Sequence, residues 1–266
     1  VKKSTRPRID NPATLDEEIQ YEASHYIPFP IEEVSLEYHI LKTAKNAAES
    51  MEILLVAAKR EFIFRYIEAI EGSGLKCKLM DVSGFALANS FEANYGVTDT
   101  PVAVLNIGAG ITNFIVVERG EVIFSRDIPV GGLLYTMDIN KMMGVSMTEA
   151  EALKISACMG QEAPDEVNRI IQSTNDAVID EIRNGFEFFS ATSGGSSISK
   201  FYVSGGGMFV PGLIDSVSKA VGIPYEVFDP LAKVTIHKSI TPEYANQIRP
   251  LCGVVLGLGM RQEGDS

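Results

Sequence analysis

The stretch PVAVLNIGAGITNFIVVERGEVIFSRDIPVGG, Pro101 to Gly132, decides the reading of this chain. It predicts a strand, a glycine turn, a second strand, a tight turn and a third strand, with Gly131-Gly132 opening a helix. Val102 to Leu105, Phe114 to Val117 and Val122 to Phe124 are apolar and β-prone. Gly108, Ala109 and Gly110 are expected to leave backbone N–H groups uncovered at the tip of the first turn, where an anion can sit. Taken alone, glycines at a hairpin tip are also ordinary turn chemistry.

Working outward, 266 residues hold one large domain or two of ordinary size. An apolar content of 45% with 22% charged residues is that of a folded globular protein. The net charge of −12 excludes a general nucleic-acid binder, which needs basic clusters, and disfavours adhesion to an anionic membrane face. No apolar run approaches the roughly 20 residues that span a bilayer, so no direct membrane insertion and no signal peptide are expected. Cys77, Cys158 and Cys252 form no C-x-x-C pair and read as buried free thiols of a reducing compartment.

Before the hairpin the pattern is mixed. Thr14 and Glu17 are spaced as a capping box ahead of a helix that turns Leu15, Ile19, Ala23 and Tyr26 to one side. Val34, Leu36, Tyr38 and Ile40 alternate as a half-buried strand, the polar KTAKNAAES reads as a linker, and Met51 to Ala58 as a buried strand. REFIFRYIEAIEGSG predicts an amphipathic helix with Phe62, Ile63, Tyr66, Ile67 and Ile70 inward, stopped by Gly72 and Gly74. Asp81 to Tyr95 reads as a further helix.

After the hairpin, Leu133 to Ser190 is largely helical with breaks at Gly144–Ser146 and Gly160–Pro164. Phe201 to Ser204 is a short strand running into Gly205-Gly206-Gly207, with a helix opening near Pro211. Tyr225 to Phe228 is another strand, and Arg249-Pro250 is placed to start a last helix, LCGVVLGLGMRQ.

Two more segments carry chemistry. Three glycines between a strand and a helix let a ligand or another backbone approach closely; a tight strand-to-helix connection explains them equally well. Glu151 and Lys154, three apart on a helix, share a face and are able to reach the two hydroxyls of a ribose, or form an ordinary surface ion pair.

A phosphate hairpin, then E-x-x-K on a helix, then GGG-x-x-x-P, in this order, resembles the actin, heat-shock chaperone and sugar kinase superfamily. Within it, IQYEASHYIPFPIEEVSLEY, AAKREFIFRYIEAIEGSGL and IFSRDIPVGG are similar to the PilM family of type IV pilus assembly, relatives of the cell-division protein FtsA. The resemblance runs essentially end to end. It implies an α/β, actin-like two-lobed fold with an FtsA-type extra α+β subdomain (1C) at residues 1–79. Residues 80–100 would be part of lobe 1 (1A), 101–135 the lobe 2 phosphate hairpin (2A) and 136–195 its helical part (2B). Residues 196–248 would carry the adenosine loop (2A), and 249–266 a C-terminal helix returning to lobe 1.

Carried over by position, Gly108, Ala109, Gly110 and Thr112 form the second phosphate loop. Glu151 and Lys154 hold the ribose, and Gly205, Gly206, Gly207 and Met208 line the adenine. The Cys252–Met260 helix packs through its glycines on the nucleotide sheet. The implied ligand is ATP or ADP with Mg²⁺, in the full-length protein. The implied partners are the cytoplasmic N-terminal tail of PilN and other pilus inner-membrane and motor components, with self-association as a further expectation. The tail would dock around Tyr26 to Phe29 and Val34 to Tyr38, holding the protein peripherally at the cytoplasmic side of the inner membrane.

Two departures bear on activity. Asn106 and Asn113 stand where the family pattern carries acids, and an amide supplies neither a negative charge to anchor Mg²⁺ through water nor a general base. No D-x-G loop with its lysine precedes residue 80, so lobe 1 is expected to be missing its N-terminal part and the chain to be an N-terminally truncated piece. The expected function is therefore a nucleotide-binding scaffold with at most slow hydrolysis and no catalytic residue. The alternatives are an FtsA-like polymerising ATPase, which needs acids at the two asparagines and an amphipathic C-terminal anchor that the polar Arg261–Ser266 end does not offer, and a sugar or acetate kinase, for which no catalytic acid stands out.

Overall fold

In a computed structural model, which describes residues 1–41 and 48–262, the chain divides into two compact units. One is Val1–Val82 together with the segment from Arg261; the other is Ser83–Met260. Most of the KTAKNAAES linker lies outside the described residues.

The first unit is built on an antiparallel sheet of β1 (Lys2–Pro7), β2 (Val34–Leu41) and β3 (Ser50–Lys59), in the order β1-β3-β2. Helix α1 (Pro12–Tyr26) covers one face. Leu15, Ile19 and Ala23, one turn apart along α1, meet Met51, Ile53 and Leu55, which alternate along β3. Ser4 and Arg6 of β1 both bond to Glu22 of α1, fixing helix to sheet at the polar margin. The N-cap is Asn11, whose side chain accepts from the amides of Ala13 and Thr14, with Pro12 at the first helical position. The expected Thr14–Glu17 capping box is therefore wrong by one turn: Pro12 fixes the helical φ earlier and Asn11 satisfies the free amides.

The alternation in β2 holds at Val34, Leu36 and Tyr38, but Ile40 is exposed and Leu41 is buried instead. Helix α2 (Arg60–Gly72) forms as expected, yet buries no residue completely. Ile63, Ile67 and Ile70 are half-buried, while Phe62 and Tyr66, read as inward, are exposed. Their 3.6-residue spacing marks a broad apolar arc, of which only the isoleucine stripe is sheltered.

The second unit opens with α3 (Ser83–Tyr95), two residues later than its apolar pattern predicts. The hairpin follows as β4 (Val102–Ile107), β5 (Thr112–Glu118) and β6 (Glu121–Ile128), with Arg119 and Gly120 at positive φ in the tight turn. Helices α4 (Gly132–Met143), α5 (Met147–Cys158) and α6 (Asp165–Thr192) come next, then β7 (Lys200–Ser204), α7 (Leu213–Val221) and β8 (Tyr225–Val227). The five strands make one mixed sheet in the order β6-β5-β4-β7-β8, antiparallel in the hairpin and parallel from β4 to β8.

Both faces of this sheet are covered, which is why β4 and β5 read as nearly continuous apolar runs. On one face Leu105, Ile107, Phe114 and Val116 meet α4, α6 and α7; Val167, Ile170, Ile171, Val178, Ile182, Phe186 and Phe189 give α6 a seven-residue apolar stripe. On the other face Val102, Val104, Ile115, Val117 and Tyr202 meet Leu87 and Phe91 of α3, and Phe228.

The chain ends with α8 (Pro242–Ile248), which the sequence reading missed, a 3₁₀ turn at Arg249–Leu251 and α9 (Gly253–Met260). Pro250 thus opens the 3₁₀ turn, not the α-helix. The glycines of α9 pack chiefly on α3 and not directly on the sheet. A Cβ at Gly257 would overlap the Ala86 carbonyl, and one at Gly253 would sit 2.8 Å from Leu87 Cδ1. The three cysteines are free and half-buried, not fully buried as expected. No helix among the described residues is long and apolar enough to cross a membrane.

The α3–α9 crossing gives a direct test. Gly257→Val must push two helix backbones apart, and is expected to destabilise the protein by about 3 kcal/mol in urea unfolding. Gly259→Ala, where a Cβ meets nothing within 4 Å, is expected to be neutral or to stabilise by up to about 1 kcal/mol.

Candidate nucleotide site

The three glycine-rich elements converge at one end of the large sheet, around the C-terminal end of β4. Gly131 approaches the hairpin turn so closely that a Cβ would overlap the carbonyls of Gly108 and Ala109. The amides of Gly132 and Leu133 donate to those same carbonyls at 2.9 and 2.7 Å, so the first turn of α4 is capped by the glycine turn. From the other side Gly205, at φ 86°, lies against the Ile107 backbone, and Gly207 against the Ile107 side chain, each with no room for a Cβ. The Gly205 amide donates to the Pro250 carbonyl at 2.8 Å, tying this loop to the turn before α9.

The predicted residues fall into two groups. Ala109 and Gly110 are exposed at the tip, and their amides have no protein acceptor among the described residues. Gly206 is exposed with Leu251 beside it. These can face a ligand. Gly108, in contrast, spends its amide on the Ile111 carbonyl at 3.0 Å, so it is not an uncovered donor. Thr112 is buried and donates its hydroxyl to Val130 O at 2.8 Å, Gly207 is buried under Ile107, and Met208 packs against the core below the sheet. Those three hold the loops in shape.

Glu151 and Lys154 are paired at 2.7 Å, but not as a loose surface pair. Lys154 Nζ also donates to Gly132 O at 3.1 Å and Thr136 Oγ1 at 3.0 Å, and Thr136 donates to Glu151. The pair thus fastens α5 to the first turn of α4, one step from the glycine turn. Burial draws the Glu151 carboxyl upward, but the hydrogen bonds from Lys154 and Thr136 and the lysine charge outweigh it and hold it below the ordinary carboxylate value.

A polar row crosses the sheet beside the loops. Ser204, Asn106, Asn113 and Asp127 stand opposite one another in the register of β7, β4, β5 and β6. Ser204 Oγ donates to Asn106 Oδ1 at 3.2 Å, Asn106 Nδ2 to Asn113 Oδ1 at 3.1 Å, and Asn113 Nδ2 to Asp127 Oδ1 at 2.8 Å. The sequence pattern marks the two asparagines as missing acids but not the carboxylate of Asp127, one strand from Asn113 and two from Asn106. Its signal was the strand register, since Asp127 lies in the same FSRDIPVGG segment that carries the family likeness.

The Glu151 linkage predicts a pH effect with a definite sign. Because its folded-state pKa is lowered, the stabilisation is present above the unfolded value of about 4.3 and is lost as pH falls through the folded value. Glu151→Gln is expected to melt below the unsubstituted protein at pH 7, with the gap in melting temperature closing as the pH falls through the lowered folded-state value.

The model of the family described as type IV pilus assembly protein PilM matches residues 7–263. A solved structure of a PilM–PilN type IV pilus biogenesis complex superposes with a TM-score of 0.87 at 26% identity, covering 99% of this chain and 76% of that one. The ethanolamine utilization protein EutJ from Carboxydothermus hydrogenoformans shares the fold at TM-score 0.51 and 20% identity, over 73% of this chain and 58% of that one. Cell division protein FtsA of Bacillus subtilis (strain 168) is 29% identical over 108 residues, 39% of this chain and 23% of its own length. The fold is α/β and actin-like, and the chain belongs to the PilM family of type IV pilus assembly proteins.

Proposed function

We propose that this protein is a nucleotide-binding scaffold of the type IV pilus inner-membrane assembly complex that docks the cytoplasmic tail of PilN. The observation that carries the nucleotide part is the convergence of the Gly108–Gly110 turn, the α4 start and the Gly205–Gly207 loop around Ile107 to Ala109, at the end of β4. Two exposed amides at the tip offer donors to a phosphate, and the exposed Gly206 leaves space for a flat base. Glu151, 44% exposed in its side chain, keeps a carboxylate oxygen within reach of a ribose hydroxyl, while Lys154 holds its position. The expected ligand is ATP or ADP. The groups present favour binding over turnover, because the amides at Asn106 and Asn113 provide no general base.

The PilN part rests on the neighbour whose solved complex contains PilN. In the first unit Tyr26 and Phe29 are 57% and 42% exposed, each ring facing a lysine, Lys2 and Lys59 respectively. They offer apolar anchors of the kind an extended peptide tail uses. Through such a partner the protein would be held peripherally at the inner membrane, alongside other pilus inner-membrane and motor components. The FtsA-like polymerising ATPase is the second reading. The Asp127 carboxylate favours it, as the acid within the polar row.

Calorimetry on the protein at its natural length tests both parts. Gly110 has open space around it, so Gly110→Asp is expected to leave the fold intact and weaken ATP binding at least tenfold by placing a carboxylate against the phosphates. Unchanged affinity would remove the turn from the site. Tyr26→Ala with Phe29→Ala is expected to weaken a PilN tail peptide at least tenfold. An unaffected peptide would move the docking surface elsewhere, and ATP turnover at rates typical of enzymes would favour the ATPase reading.

A further inference from the structure

The polar row Ser204–Asn106–Asn113–Asp127 has a direction, and chemistry sets it. An ionised carboxylate only accepts hydrogen bonds, so Asn113 must turn its NH₂ toward Asp127. The Asn113 carbonyl then faces β4 and accepts from Asn106 Nδ2. The Asn106 carbonyl in turn accepts from the hydroxyl of Ser204, which is wholly buried and also lies 3.5 Å from the Leu105 carbonyl. Reversing either amide would set N–H against N–H or oxygen against oxygen inside a partly buried row, where unpaired groups are costly. The Asn106 amide keeps a second N–H with no protein acceptor among the described residues, at the strand end that leads into the glycine turn.

We propose that this row turns the Asn106 position into a hydrogen-bond donor to a phosphate oxygen of the bound nucleotide, in place of an acceptor for metal-bound water, so that the nucleotide is held without a requirement for Mg²⁺. The inference rests on the nucleotide reading above and adds the protonation pattern of its phosphate side. Asp127 is a positioning residue: two strands away from Asn106, it acts through Asn113. The residues present do not fit a metal at this place. Asn106 and Asn113 are uncharged amides, the Asn106 carbonyl already accepts from Ser204, and no group of three His, Cys, Asp or Glu able to hold a metal ion occurs among the described residues. The Ala109 and Gly110 amides extend the same donor character along the turn.

The experiment is ATP titration of the natural-length protein in Mg²⁺ and in EDTA, with side-chain amide spectra of Asn106 and Asn113. In the unsubstituted protein the two dissociation constants are expected to agree within about threefold. Asn106→Asp is expected to weaken ATP in EDTA at least tenfold, with recovery in Mg²⁺. Asp127→Asn, whose amide both donates and accepts, is expected to weaken ATP several-fold in both buffers and to shift the amide signals of Asn106 as well as Asn113; Asp127→Glu is expected to restore both. A structural role for Asp127 would shift Asn113 only, and that result overturns the relay. ATP binding that requires Mg²⁺ in the unsubstituted protein overturns the inference and leaves the nucleotide reading standing. Loss of that requirement in Asp127→Asn would make Asp127 a metal anchor instead, again against the inference. Absence of ATP binding in both buffers overturns the nucleotide reading and the inference together.

Discussion

The candidate site depends on how closely backbone can approach the end of β4. Ile107, Gly108 and Ala109 are touched from two sides, by Gly131 at the start of α4 and by Gly205 and Gly207 after β7, at distances that leave no room for a Cβ. Those contacts let the hairpin turn cap α4 with its own carbonyls and bring the second glycine loop alongside. A side chain at Gly131 or Gly205 would wedge the elements apart, and the exposed amides of Ala109 and Gly110 would then face no neighbouring loop. Glycine serves here through its missing Cβ, and at Gly205 through its positive φ as well.

Around this junction the side chains divide their work. Thr112, Gly207 and Met208 are spent on holding the loops against the core, and Lys154 on fastening α5 to the first turn of α4. Ala109, Gly110, Gly206 and the partly exposed Glu151 remain available to a ligand. Tyr135, Asn175 and Pro211 add a second tie: the Tyr135 hydroxyl donates to Asn175, whose amide donates to the Pro211 carbonyl just beyond the glycine loop, so α4 and α6 position that loop together. A buried Asn with both ends used is costly to disturb, which suits a rigid binding cradle.

Much of the fold was legible because its signals are local. The apolar runs of β4 and β5, the glycine breaks after α4 and α5, and the GGG loop after β7 need no partner to be recognised. The errors arose where local signals compete or where burial depends on distant neighbours. Asn11 with Pro12 outcompeted Thr14 as the cap of α1. Phe62 and Tyr66 lie on an apolar arc, but only Ile63, Ile67 and Ile70 are sheltered. Helix α8 is seven residues long, too short for a periodic pattern to announce itself.

The sequence by itself determined most of the elements, the family likeness and the presence of amides at Asn106 and Asn113, where the family pattern leads one to expect acids. Only the tertiary structure decided which glycines face a ligand and which make room for packing, since both kinds look alike in a string of letters. It also decided that Asp127 belongs with those asparagines. Strand pairing brings residues 106, 113, 127 and 204 into one row, and a hydrogen-bond direction propagates along such a row only when its members are in register.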